Sequence, residues 1–202
     1  MLSGVITGIT FGSCTTSAAD QPTPIIAAAD TTPTWFQRFA ANPTFIADGF
    51  DFPVGPPDAK GYYNAQPFGR NLHLGDDWNG VGGGNTDMGD PVYAIAHGYV
   101  IQALDEGGGW DNVVRIVHVY NENGKQKAVE SLYAHLDTML VKEGQWIKRG
   151  QQLGTIGNAH GLYYAHLHLE IRDSVGMFIG GGYSHDTKGY LQPTPFIKAH
   201  RP

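Results

Sequence analysis

His166-Leu167-His168-Leu169-Glu170-Ile171 alternates polar and apolar residues without interruption. That is the period of a strand with one face buried, Leu167, Leu169 and Ile171 turned into a core and His166, His168 and Glu170 sharing the other side. Two residues' rise puts the two imidazoles about 7 Å apart, looking into one space. Taken alone, a pair of histidines on an edge strand would look the same, so the reading depends on what lies around it.

Working outward, short β-rich runs broken by glycine recur at 91–101, 113–120, 128–136, 146–148, 152–156 and 165–172, and no helical periodicity of three or four turns appears. With 28 glycines and 12 prolines in 202 residues, the chain has the balance of an all-β, turn-rich domain built mainly of antiparallel sheet. Asn123-Gly124 lies between two of these runs and predicts a tight hairpin, because a type I′ turn needs positive φ at both positions. That turn sets His118 opposite Val129 and, at the far end, His135 opposite Asn112; a slip of one residue would turn every side chain over.

Two further clusters carry possible chemistry. In His73-Leu74-Gly75-Asp76-Asp77 the glycine argues for an irregular turn, on which a histidine and a carboxylate four apart can reach one cation. Tyr133-Ala134-His135-Leu136 adds a histidine on the strand after the hairpin. The single cysteine, Cys14, excludes an internal disulfide framework and a cysteine-based zinc knuckle, so a metal site must draw on histidine and carboxylate. Zinc accepts such donors, takes four ligands and keeps one place for water when catalytic; His73, Asp77 and one histidine of the HxH pair would supply three.

HLGDD (73–77), YAHL (133–136) and HLHLE (166–170) together resemble the three signatures of the lysostaphin-type, or LytM-like, zinc metalloendopeptidases of bacterial cell walls. DPVYAIAHGYV (90–100), NVVRIVH (112–118) and VKEGQWIKRGQQLGTIGN (141–158) are similar to that family too, so the likeness covers roughly 69–172. The resemblance implies a fold of the lysostaphin-type, barrel-sandwich hybrid kind. It implies Zn2+ held by His73, Asp77 and His168, with His135 and His166 as the catalytic pair; we assign His135 to general-base or water-orienting work and His166 to the oxyanion, two roles that the sequence leaves interchangeable. It further implies hydrolysis of peptide bonds in the stem or cross-link peptides of peptidoglycan. The alternative is a catalytically silent scaffold that activates a cell-wall amidase; many such relatives have lost zinc ligands, whereas all five polar positions are present here. Tyr164-Ala165 stands where the family commonly has Gly-Pro, and the stretch 80–90 is a glycine-rich connection of its own; both touch the groove walls. Glycine runs at 82–84, 107–109 and 180–182 are expected to line that groove.

The remaining features set partners and location. Thirteen Lys and Arg against nineteen Asp and Glu, a net charge of −6, exclude a polyanion-binding surface, hence no nucleic-acid partner; we expect a monomer acting on peptidoglycan. The apolar stretch 5–11 is far shorter than the roughly 20 residues of a spanning helix, but with Phe11-Gly12-Ser13-Cys14 it resembles a lipoprotein signal. Residues 15–34, small and rich in Pro and Thr, read as a tether, giving an N-terminal leader and linker over 1–34 and a metallopeptidase domain over 35–202. The protein is therefore expected to be exported to the cell envelope or periplasm, with Cys14 a site of lipid attachment. Asp76 is expected to hydrogen-bond the loop, His118 to face the groove or satisfy a core hydrogen bond, and His97, His160, His185 and His200 to face solvent.

Overall fold

The alternating run forms β9 (Leu167–Arg172) in the computed structural model, which describes residues 34–202 together with Met1. Cys14 and nearly all of the expected leader and linker lie outside the described residues. Among the described residues no helix is long and apolar enough to cross a membrane.

The antiparallel sheet runs in the order β1 (Tyr62–Gln66), β2 (Asp76–Gly80), β9, β6 (Lys125–Met139), β5 (Asn112–Glu122), β4 (Gly98–Asp105) and β7 (Trp146–Ile147). β8 (Gln152–Ile156) pairs with both β3 (Pro91–Tyr93) and the end of β6, while β10 (Tyr190–Leu191) pairs with β9. The run expected over 91–101 is two strands, because the chain changes partner from β8 to β5 across the buried segment Ala94–Ala96. Two short helices flank the sheet, α1 (Trp35–Ala40), capped by Thr34, and α2 (Pro193–Ala199), whose Phe196 packs edge-on against Phe50.

Alternation sorts the strands into two faces. Leu167, Leu169 and Ile171 join Val114, Ile116, Val129 and Tyr133 in the main core, and a second, smaller cluster of Val113, Leu132 and Ala134 covers part of the opposite face. On that opposite face His168, Glu170 and Arg172 of β9 follow one another. Asn123 and Gly124 both have positive φ, 51° and 74°, and the hairpin register sets His118 opposite Val129, as the Asn-Gly turn requires. At the far end the register differs from expectation: Asn112 pairs with Leu136, not His135, because a β-bulge intervenes and His135 takes φ 59°. Leu136 consequently enters the main core and His135 is released toward the opposite face.

His118 satisfies a core hydrogen-bond chain. Its Nδ1–H donates to the His97 carbonyl at 2.8 Å, and its Nε2 lies 2.7 Å from Ser131 Oγ, which in turn meets the Tyr133 hydroxyl. Burial pushes this imidazole down to about 4. The unfolded chain therefore takes up a proton first as pH falls, so stability present near neutrality is lost between about pH 6.5 and 4, to an extent of about 3 kcal/mol. Urea unfolding at pH 7 and pH 4.5 is expected to show this loss in the parent and a flatter profile in His118→Gln; parallel profiles would remove His118 as the cause.

Candidate metal and catalytic centre

Three elements bring the sequence clusters together. Asp77 is not on a tight loop as expected but on β2, directly opposite His168 on β9. His73 ends the turn just before β2, where a bridge to Tyr183 fixes the chain. Gly75 is required between them: a Cβ there would lie 2.8 Å from the His168 ring and 2.5 Å from the Leu169 carbonyl oxygen. Asp76, on the core side, accepts hydrogen bonds from the Phe68 and Thr194 amides and the Thr194 hydroxyl, tying the turn to α2.

His73 Nε2, Asp77 Oδ1 and His168 Nδ1 form a triangle with edges of 3.0, 2.9 and 3.2 Å. Bonds of about 2.0 Å to a tetrahedral zinc would set such atoms about 3.3 Å apart, a few tenths of an ångström away. The hydrogen bonds behind the rings fix their chemistry. His73 Nδ1–H donates to the Gln66 carbonyl at 3.1 Å and His168 Nε2–H to Glu170 Oε1 at 3.2 Å, and neither partner can donate in return. With those protons engaged, the two remaining ring nitrogens face a carboxylate oxygen, an arrangement that repels itself unless a cation or a proton lies between. Burial alone would raise the Asp77 carboxyl, but hydrogen bonds from His168 and His73 outweigh it and hold the group well below the carboxylate range. Burial likewise opposes charge on His168, yet its bonds to Asp77 and Glu170 prevail and raise it to about 9. These donors, polarised from behind by a carboxylate and a carbonyl, fit a zinc-like ion.

Glu170 is itself held. Arg172 Nε donates to it at 2.7 Å, Arg172 lies 3.7 Å from Glu130, and Glu130 receives two hydrogen bonds from Arg115, all four side chains being buried. Two cations and two anions balance there, so His168 is oriented by a rigid, neutral-sum chain of charges. Glu170 was legible from its place on the histidine face; the arginines that hold it were not.

His135 and His166 reach the same cavity, of about 530 Å³, with ring centroids 4.7 Å apart. His166 precedes the regular part of β9, bridged only to Gly157, and its Nδ1–H donates to the Tyr164 carbonyl at 2.8 Å, leaving the lone pair on Nε2, 3.8 Å from Asp77. Burial, with His168 and His166 adding to it, pushes His135 down to about 3, so its ring is neutral, and its buried Nδ1 has no partner. Trp110, which sequence reasoning missed, stacks over His135 at 6.4 Å and meets His168 edge-on at 5.4 Å; its carbonyl accepts from the His135 amide. Gly109, Gly181 and Gly182 line this cavity, whereas the run at 82–84 does not: that connection sends Asn85 into an adjoining hollow of about 600 Å³, beside Asn79, Asn158 and Tyr164. Of the other histidines, His185 is exposed and His160 largely so, but His97 accepts from the Arg149 amide and His200 is bonded to Phe196 and Glu122, because each sits in a packed seam.

Over 84 residues, 42% of its length, the chain is 39% identical to lipoprotein NlpD of Yersinia enterocolitica, covering 78% of that protein. It is equally similar to murein hydrolase activator NlpD of Escherichia coli over 84 residues, but covers only 20% of it. Over 90 residues it is 37% identical to peptidoglycan DD-endopeptidase ShyB of Vibrio cholerae, spanning 43% of this chain and 18% of that one. Residues 77–179, half of the chain and inclusive of Asp77, His135, His166 and His168, match the family model for peptidase family M23, and with His73 completing the cluster in space, the chain belongs to that family.

Proposed function

We propose that this chain is a zinc-dependent endopeptidase that hydrolyses peptide bonds in the stem or cross-link peptides of peptidoglycan. The observation that carries the reading is the convergence of five polar side chains from three separate stretches of chain on one cavity, three with donor atoms facing one another and two lining the space beside them. His73, Asp77 and His168 would hold the ion. A bound zinc supplies Lewis acidity, polarising the scissile carbonyl and easing ionisation of the attacking water.

The remaining steps fall to the histidines. His166, its Nδ1–H engaged with Tyr164, presents Nε2 as the proton acceptor for that water. His135 has its buried Nδ1 without a partner, and a bare acceptor is the less costly way to leave a buried nitrogen; the ring proton then sits on Nε2, where it can donate to the oxyanion. Gln66, Asn79, Asn85 and Asn158 line the adjoining hollow with amides that can hydrogen-bond an extended peptide backbone.

The scaffold reading keeps its place because a relative is named a murein hydrolase activator. The two separate on one experiment: zinc-loaded chain is incubated with purified peptidoglycan and new peptide termini are identified by mass spectrometry. New termini from the chain alone support the endopeptidase; none, together with stimulation of an added amidase, supports the scaffold.

We further infer export to the cell envelope with lipid attachment at Cys14, in keeping with relatives named as lipoproteins. Metabolic labelling with a fatty-acid analogue in a bacterial host is expected to mark the parent and not Cys14→Ser. An unlabelled, soluble parent would leave a plain secretory protein.

A further inference from the structure

A second group of metal-type donors lies outside the centre described above. Asp105 ends β4, Asp111 immediately precedes β5, and His160 stands on the turn Ala159–Gly161 between β8 and β9; one donor atom from each falls within 4.8 Å of the others. Asp111 is the informative member. Its side chain is only 4% exposed, and its Oδ1 is buried without any hydrogen-bond partner. His160 Nε2 is 3.0 Å from that oxygen but is not aligned to donate to it. A desolvated carboxylate oxygen left unpartnered is costly. An imidazole beside it, pointing past it rather than at it, is the arrangement of two ligands that share an ion instead of a proton.

Asp105 completes the set: its Oδ1 accepts from the Gly107 amide at 2.7 Å, and its Oδ2 has no hydrogen-bond partner among the described residues. Two carboxylates and an imidazole suit zinc and similar transition ions, whereas calcium and magnesium favour all-oxygen sites. We propose that Asp105, Asp111 and His160 form a second divalent-cation site that pins the β4–β5 hairpin loop to the turn before β9.

The location gives the site a consequence. The hairpin loop carries Trp110, whose ring lies against His135 and His168 and whose carbonyl holds the His135 amide. Its Gly109 meets the Tyr163 hydroxyl so closely that a Cβ would sit 2.6 Å from it. Both strips of chain wall the catalytic cavity, so an ion joining them on the outer side steadies the Trp110 wall from behind.

The inference stands independently of the proposed peptidase activity, and its test reads metal and backbone rather than turnover. Full-length chain is equilibrated with zinc by dialysis, and the bound metal is measured by elemental analysis. The parent is expected to hold one equivalent more than either His160→Asn or Asp111→Asn. Loss of a ligand should weaken this site by no less than the roughly 10–100-fold that loss of an outer partner costs. His160 is largely exposed and its backbone has φ 55°, which asparagine tolerates, so His160→Asn leaves folding intact. In hydrogen exchange, zinc should slow the amides of 107–111 in the parent but not in His160→Asn. A His160→Asn variant that holds as much zinc as the parent, or loop exchange indifferent to zinc in the parent, would overturn the site, leaving an Asp111–His160 ion pair.

Discussion

Replacement of His168 by alanine is expected to leave the chain with one zinc equivalent fewer than the parent and to reduce peptidoglycan hydrolysis by three or more orders of magnitude. The ring contributes one of three facing donor atoms, at 2.9 and 3.0 Å from the other two, and no neighbouring donor can take its place because Glu170 is held behind it by Arg172. Loss of the ion removes several kcal/mol of transition-state stabilisation, and each 1.36 kcal/mol is about tenfold in rate. His73→Ala and Asp77→Ala should behave alike. Glu170→Gln should be graded rather than absolute, weakening zinc roughly 10–100-fold through the orientation of His168. Full zinc occupancy in His168→Ala, measured by elemental analysis against the parent, would refute the ligand assignment.

Substitution of the other two histidines should separate chemistry from metal. His166→Ala and His135→Asn are expected to keep zinc and to lose roughly 10²- to 10⁴-fold in kcat, the usual worth of a positioned proton acceptor or oxyanion donor. Asparagine is the better choice at 135 because the backbone there has φ 59°, a left-handed conformation that asparagine tolerates and alanine resists. Folding and catalysis are then read apart. Loss of zinc from either variant would mean that these rings ligate the ion. A kcat within a few-fold of the parent would remove them from the reaction.

Local pattern carried a large part of this site. Strand alternation in 166–171 decided which side chains face the core, since a period of two is set by the backbone itself. The Asn-Gly turn determined the hairpin pairing near it, and the lone cysteine confined any metal chemistry to histidine and carboxylate. Spacing did not distinguish His166 from His168; the family resemblance named His168, and in space it is His168 whose donor atom faces His73 and Asp77.

Other features depended on contacts between residues far apart in the chain. Asp77 and His168 become neighbours only through the pairing of β2 with β9, and no local periodicity reports a partner 91 residues away. The bulge at His135 arises where β6 leaves β5 to pair with β8, so it is a demand of three strands on one residue and leaves no mark in the hairpin's own pattern. Trp110 over the histidines and Arg172 behind Glu170 likewise follow from packing. The tautomers of His73, His166 and His168 are set by carbonyls and a carboxylate that only the folded chain brings within 3.2 Å of each ring. The sequence alone thus settled residue types and faces, which depend on backbone period. Which atoms meet, and in what protonation state, was decided by tertiary structure, because hydrogen bonds and burial act over distances in space.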